Sequence, residues 1–207
     1  MDHIDHTIRQ KYAIKKIVKP NWHYCDIGAC RGEILEFLMN NMEEGHAFEP
    51  SVTNYLFLKN KFQNKNLTLN NMAVSDKSGV SKFILMPDAY LGCLNDNKPS
   101  HVDENQGHTV NVDTVNLDTY FKDKKIDFIK LDVEGAEWDV FKGSTNLLKE
   151  RNILWQVEFH WDEDWHQRNM LYDLGYAIYD LELKKLDKDA SRPYQAFVCR
   201  EDYFSVK

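Results

Sequence analysis

The stretch YCDIGACRGE, residues 24–33, has the composition of a loop that holds a small charged ligand. An apolar approach ends at Asp26, and Gly28 and Gly32 follow before a helical pattern of apolar residues begins. A strand that breaks into a glycine loop and then a helix directs backbone N–H groups toward a ligand. Asp26 at a buried strand end also needs partners that offset the loss of its hydration. The sequence therefore predicts a binding loop here.

Two pairs of ionisable residues later in the chain could transfer a proton. Asp132 and Glu134 follow the apolar run IDFIKL, and Glu158 and His160 end the run NILWQVEFH. Glu158 and His160 are two residues apart, so both lie on one face of a strand. Carboxylates and imidazoles act as general bases, and histidine titrates close to neutral pH. We predict that one of these four residues is the general base. The sequence alone does not decide which of them it is.

The same four side chains are permissible ligands for Mg²⁺ or Mn²⁺, which would lower the pKa of an acceptor hydroxyl. Nothing in their spacing requires an ion. No metal site is therefore predicted from the sequence.

The glycine spacing separates two classes of ligand for the first loop. A dinucleotide requires G-x-G-x-x-G, and aligning Gly28 with its first glycine places Cys30 and Glu33 where glycines are needed. Asp26 and Glu33 would also repel a pyrophosphate. S-adenosylmethionine carries a sulfonium, an ammonium and a carboxylate group but no phosphate, so acidic residues can face its cations. The loop therefore favours S-adenosylmethionine, with S-adenosylhomocysteine as the product, over NAD.

Two further segments extend this predicted cofactor site. Glu49 ends the short strand GHAFEP, where a carboxylate can accept hydrogen bonds from both ribose hydroxyls. Residues 71–74 end the next predicted strand, where an adenine would lie. The predicted cofactor-binding residues are Asp26, Gly28, Ala29, Gly32, Glu49, Asn71, Met72, Ala73 and Asp132.

Alternating apolar segments indicate the fold that positions these residues. Strand-like runs separated by helical patterns predict an α/β protein with a mainly parallel, doubly wound sheet. We expect a helical lead-in over residues 1–21, a single domain over 22–207, and an antiparallel hairpin of the last two strands. Residues 87–108 form a long polar stretch without a clear pattern, which predicts a lid loop.

Composition limits the partners and the location. The formal charge of −7 disfavours a nucleic-acid partner, which normally requires a basic face. Four separated cysteines, no signal-peptide pattern and no long apolar run predict a cytoplasmic protein with no membrane partner. We expect the partner to be a small molecule or glycan.

The run IDFIKLDVEGAEWDVFKG and the strand that follows it resemble the FkbM family of S-adenosylmethionine-dependent methyltransferases. The matching residues are Asp132, Glu134, Gly135, Ala136, Glu137, Gly143 and Glu158. DIGACRGE, FEPS and NMAVSDKSG resemble earlier segments of the family, although Cys30 and Arg31 depart from its first motif. The resemblance covers roughly residues 22–160. It implies a Rossmann-like class I methyltransferase fold and O-methylation of a hydroxyl on a natural product, sugar or lipid.

Other functions stay open on the sequence alone. An NAD-dependent oxidoreductase requires the glycine spacing that is missing here. A non-catalytic cofactor-binding module of the same fold would be favoured by loss of the carboxylates, but Asp26, Glu49 and Asp132 are all present. A nucleic-acid amino-methyltransferase commonly carries an Asn/Asp-Pro-Pro-Tyr/Phe run where this chain has DVEG. We therefore expect a methyltransferase acting on a hydroxyl.

Overall fold

A computed structural model describes residues 3–63, 66–86, 92–94 and 107–204 of the chain. The helices are α1 (His3–Lys15), α2 (Glu33–Asn41), α3 (Val52–Lys61), α4 (Leu117–Tyr120), α5 (Glu137–Lys142), α6 (Thr145–Glu150) and α7 (Asn169–Asp173), with a short 3-10 helix at Trp165–Arg168. The strands are β1 (His23–Ile27), β2 (Glu44–Phe48), β3 (Leu67–Asn70), β4 (Ala73–Val74), β5 (Gly79–Leu85), β6 (Gly92–Leu94), β7 (His108–Val115), β8 (Phe128–Leu131), β9 (Leu154–Glu158), β10 (Tyr176–Tyr179) and β11 (Gln195–Arg200).

The main sheet has seven strands in the order β3-β2-β1-β8-β9-β11-β10. The pairs from β3 to β9 are parallel, whereas β11 runs antiparallel to both β9 and β10. The predicted α/β fold with a mainly parallel sheet is therefore confirmed. The last two strands do pair with each other, but β11 is inserted between β10 and the rest of the sheet.

The central strands β1, β8 and β9 are buried on both faces because helices cover both sides of the sheet. In β8, Ile129 and Leu131 pack into one core cluster, and Phe128 packs into the cluster on the opposite face. On that second face α1 contributes the buried side chains of Ala13 and Ile14. None of the helices in the described part of the chain has the length and apolar character needed to cross a membrane.

A second, four-stranded sheet of order β4-β7-β5-β6 was not predicted. Its centre is a long antiparallel pair in which β5 faces β7 from Gly79 opposite Thr114 to Leu85 opposite His108. Most of the predicted lid, residues 87–108, lies outside the described residues. The described part is not irregular, since Gly92–Leu94 forms β6 and pairs with β5.

The sheet register brings the predicted functional segments to one edge. Ile27 at the end of β1 lies opposite Phe48 at the end of β2 and Leu131 at the end of β8, and Leu131 lies opposite Val157 in β9. Ligands of doubly wound sheets bind at this carboxyl edge. The segments that follow these four strands therefore form the candidate site.

Candidate active site

The glycine loop after β1 is fixed by backbone hydrogen bonds. The N–H groups of Gly28 and Ala29 donate to the carbonyl of Phe48 at 3.0 and 3.1 Å, and Asp132 N–H donates to the carbonyl of Ile27 at 3.1 Å. Gly28 adopts φ +76°, and a Cβ at this position would lie 1.8 Å from the carbonyl oxygen of Asp132. Only glycine therefore fits where the loop passes the end of β8.

Gly28→Ala is expected to destabilise the protein and to abolish cofactor binding, because the ends of β1 and β8 must move apart. Gly175→Ala is the matched control: Gly175 has φ +77°, and a Cβ there would meet its nearest neighbour, the Arg200 guanidinium, at 3.7 Å. The control isolates the cost of the left-handed backbone, about 1–2 kcal/mol, and overpacking at Gly28 adds about 1–3 kcal/mol. Thermal unfolding measures both variants, and equal losses would contradict the steric argument.

A pocket opens beside this loop. Five of the predicted cofactor-binding residues line it, namely Gly28, Glu49, Met72, Ala73 and Asp132. Its opposite wall comes from the second sheet and includes Phe83, Leu85 and Leu94, which were not predicted. The second sheet therefore helps to form the pocket instead of lying apart from it.

Four predicted cofactor-binding residues do not line this pocket, namely Asp26, Ala29, Gly32 and Asn71. The amide of Asn71 donates to the carbonyls of Glu49 and Pro50 at 2.9 and 3.0 Å, and so holds the segment after β2. Gly32 precedes α2, where a Cβ would lie 2.6 and 2.8 Å from the side chains of Phe62 and Leu58. Asn71 and Gly32 therefore hold the loops that border the pocket, and contact of these four residues with the cofactor stays a prediction.

Glu49 links the two loops on the cofactor side of the pocket. Its carboxylate accepts hydrogen bonds from Cys30 N–H and Ser51 N–H, both at 2.8 Å, and the residue is 6% exposed. Burial raises the pKa of Glu49, although these hydrogen bonds oppose the shift. The side-chain amide of Asn54 is a third donor to this carboxylate. A carboxylate has about four lone-pair sites, so it can still accept one hydroxyl donor from the pocket.

Beneath the loop, Lys130 forms a buried ionic group that was not predicted. Its ammonium donates to the carbonyl of Gly28 at 2.9 Å and lies 3.3 Å from both Asp26 Oδ1 and Asp132 Oδ2. Burial would lower the pKa of Lys130, but the charges of Asp132 and Asp26 outweigh burial and raise it. Lys130 therefore ties the ends of β1 and β8 together and supplies the partner that Asp26 requires.

The four predicted base candidates lie together, with three carboxylates around one ring nitrogen of His160. His160 Nε2 lies 3.6 Å from Asp132 Oδ1, 3.4 Å from Glu134 Oε2 and 3.6 Å from Glu158 Oε1. The other ring nitrogen, Nδ1, lies 2.7 Å from Glu137 Oε1. Glu137 is 2% exposed and is part of the site, although an acid in the first turn of a helix is usually solvated.

Mutual interactions set the ionisation of this cluster. Burial alone would lower the pKa of His160, but hydrogen bonds with Glu137 and Glu158 raise it to about 11. Burial raises the pKa of Glu134 to about 7, against the opposing charge of His160. Burial also favours a higher pKa for Glu158, yet hydrogen bonds from His160, Tyr194 and Gln195 lower it to about 2. The imidazole is therefore protonated at neutral pH when only these side chains surround it.

Comparison with protein families identifies the chain. Residues 26–182 match the Methyltransferase FkbM domain. The chain belongs to the FkbM methyltransferase family. The resemblance seen in the sequence is thus confirmed, and methyl transfer is the class of reaction that the family supports.

Several solved structures share the fold of this chain. An FkbM methyltransferase from Methylobacillus flagellatus has a TM-score of 0.59 and 18% identity over 88% of this chain and 44% of its own length. An rRNA methylase from Streptococcus thermophilus has a TM-score of 0.50 and 10% identity over 92% of this chain and 93% of its own. A Streptococcus mutans protein in complex with S-adenosylhomocysteine has a TM-score of 0.50 and 9% identity over 96% and 98% of the two chains.

These likenesses concern the fold alone, because all three identities are low. This FkbM chain spans less than half the length of the Methylobacillus protein. A comparison with curated protein sequences gives no match. The class I methyltransferase fold predicted from the sequence is confirmed.

Proposed function

We propose that this FkbM protein transfers a methyl group from S-adenosylmethionine to a hydroxyl oxygen of a small molecule, sugar or glycan. The observation that carries the proposal is the continuity of two features in one pocket. Glu49 borders the pocket beside the glycine loop, and Asp132 and Glu134 border it next to His160. A cofactor cradle thus opens directly onto groups that can accept a proton.

The residues of the pocket fit S-adenosylmethionine by their chemistry. Glu49 offers a lone pair to a ribose hydroxyl, and Met72 and Ala73 provide an apolar surface for the adenine ring. Asp132, at the end of β8, lies on the side of the glycine loop where the cationic methionine part would be held. When bound, the cofactor supplies an activated methyl carbon, and the protein must orient the acceptor oxygen toward it. Orientation of this kind contributes about 7–11 kcal/mol to lowering a barrier.

Glu134 is the residue we assign as general base. Of the four candidates, Asp132 and Glu134 border the pocket, and Asp132 is already shared between Lys130 and His160. Glu134 has a left-handed backbone, with φ +54°, and its carboxylate lies 3.4 Å from His160 Nε2 at the border of the pocket. Glu158 and His160 are not among the residues that line the pocket, and His160 orients Asp132 and Glu134 through Nε2. The acceptor hydroxyl would donate its proton to Glu134 as its oxygen attacks.

Calorimetric titration with S-adenosylmethionine, S-adenosylhomocysteine and NAD tests the cofactor. Both sulfur compounds are expected to bind and NAD is not. Glu49→Gln should weaken binding by about 10- to 100-fold, since it removes a charge-assisted acceptor. Glu44→Gln, at the exposed opposite end of β2, should leave binding unchanged. Binding of NAD, or of neither sulfur compound, would overturn the proposal.

A further inference from the structure

We infer that Asp132, Glu158 and His160 form a binding site for a divalent cation of the Mg²⁺ and Mn²⁺ class. The catalytic use of this ion rests on the proposed function, whereas its binding does not. Each residue offers one ligand atom, and these atoms all lie within 4.8 Å of one another. The three residues are separated along the chain but are brought together by the ends of β8 and β9.

The distances are close to those of an occupied coordination sphere. His160 Nε2 lies 3.6 Å from both Asp132 Oδ1 and Glu158 Oε1, and Glu134 Oε2 lies 3.4 Å from the same nitrogen. With metal–oxygen distances of about 2.1–2.5 Å, neighbouring ligands of an octahedral ion lie about 3.0–3.5 Å apart. Small side-chain rotations would therefore bring three ligands onto one face of the ion.

Glu137 orients the histidine as a metal ligand requires. Its Oε1 lies 2.7 Å from His160 Nδ1 and also accepts a hydrogen bond from Gly135 N–H at 3.0 Å. Metal-binding histidines usually donate their second ring N–H to a carboxylate, which fixes the tautomer and the direction of the ligating nitrogen. Here that arrangement directs Nε2 of His160 toward Asp132 and Glu158.

The formal charge of the site independently favours a dication. Connected ion pairs join the carboxylates of Asp26, Asp132, Glu134, Glu137 and Glu158 to the cations of Lys130 and His160. With every group ionised, this set of described residues carries a formal charge of −3. S-adenosylmethionine contributes a net charge of +1, which leaves −2 at the point of methyl transfer. Because the ion takes the place of the proton on His160, its binding adds a net charge of +1 and reduces this remainder to −1.

The ligand set also indicates which ions suit the site. Carboxylates and one imidazole favour oxygen-preferring ions that tolerate a nitrogen ligand, for which Mn²⁺ is a suitable probe and Mg²⁺ a competitor. A ligating imidazole must be deprotonated, so the ion replaces the proton on Nε2 of His160, which is released to solvent. An acceptor hydroxyl at an open coordination position would lose its proton to Glu134 more readily, because a bound cation lowers its pKa.

The site is tested by titrating Mn²⁺ into protein that has been treated with EDTA and dialysed, without cofactor. Electron paramagnetic resonance measures the Mn²⁺ that stays free in solution, and bound Mn²⁺ is obtained by difference. One Mn²⁺ per chain is expected, displaced by excess Mg²⁺. Glu137→Gln should weaken binding about 10- to 100-fold, because Glu137 orients the ring of His160 through Nδ1. Glu158→Gln should weaken it at least as much. Glu163→Gln, an exposed acid on the segment after β9, is the matched control and should bind as the natural protein does.

Several outcomes would overturn the inference. These are several weak Mn²⁺ sites per chain, no binding, or equal affinity in Glu158→Gln and Glu163→Gln. If circular dichroism shows that Glu158→Gln does not fold, Asp132→Asn is measured in its place. Calorimetry with S-adenosylmethionine in EDTA separates the two claims: cofactor binding without Mn²⁺ binding contradicts the cation site alone, and Mn²⁺ binding without cofactor binding contradicts the proposed function alone.

Discussion

Replacing Lys130 with methionine is expected to lower the free energy of unfolding by about 3–5 kcal/mol, the typical cost of removing one partner of a buried ion pair. Lys130 is 4% exposed and Asp26 is 1% exposed, and the ammonium lies 3.3 Å from the carboxylates of both Asp26 and Asp132. Methionine fills a similar volume but leaves two carboxylates without a cation between them. Urea unfolding followed by circular dichroism measures the change.

Gln156→Met is the matched control for this substitution. Gln156 lies opposite Lys130 in the register of β8 and β9, is fully buried, and accepts a hydrogen bond from the amide of Gln10. Removing this neutral partner is expected to cost about 1–3 kcal/mol. A smaller loss for Lys130→Met than for Gln156→Met would contradict the ionic argument.

A double substitution gives a sharper test of the same ion pair. In the natural protein, Asp26→Asn removes a paired charge and is expected to destabilise. In the Lys130→Met background it removes an unpaired buried charge and is expected to stabilise. Additive effects in the two backgrounds would show that Lys130 and Asp26 are not coupled.

Glu134→Gln is expected to reduce the rate of methyl transfer by about 10²- to 10⁴-fold, the usual contribution of a general base. Affinity for S-adenosylmethionine should be nearly unchanged, because the amide keeps the size and backbone conformation of Glu134. Release of S-adenosylhomocysteine, followed over a panel of monosaccharides, glycans and phenols, measures the rate, and calorimetry measures the affinity. Glu163→Gln serves again as the exposed control. A loss of affinity as large as the loss of rate would indicate that Glu134 holds the cofactor instead.

The sequence allowed much of the site to be predicted because its signals are local. The strand, glycine loop and helix around Gly28 follow one another directly, and parallel topology then requires Glu49 and Asp132 to lie at the same sheet edge. The convergence of Glu134, Glu158 and His160 could be expected for the same reason. Their distances could not, since they depend on how the segments after β8 and β9 bend.

Two ionic residues escaped prediction because their local patterns suggest other roles. Lys130 sits within the apolar run IDFIKL, where nothing marks it as a counterion for Asp26, which precedes it by about a hundred residues in the sequence. Glu137 begins α5, where an acid is usually solvated and favoured by the helix dipole. In both cases the partner is distant in sequence, and only tertiary packing reveals it.

The second sheet was missed for a related reason. The strand β7 alternates polar and apolar residues and pairs with β5 across an intervening stretch that looks irregular. Val112 of β7 packs with Phe83 of β5 and Leu94 of β6 in one buried cluster, and no local turn signal joins these strands. Sequence periodicity alone therefore gives β5 no partner.

The position of β11 has a consequence for synthesis of the chain. Because β11 lies between β9 and β10, the edge of β9 stays open and β10 has no neighbour in the main sheet until residues 195–200 have left the ribosome. The other six strands of the main sheet are therefore synthesised before β11, which joins β10 to β9. A nascent chain halted before Gln195 would therefore expose an unpaired parallel sheet edge, the kind of surface that chaperones must shield.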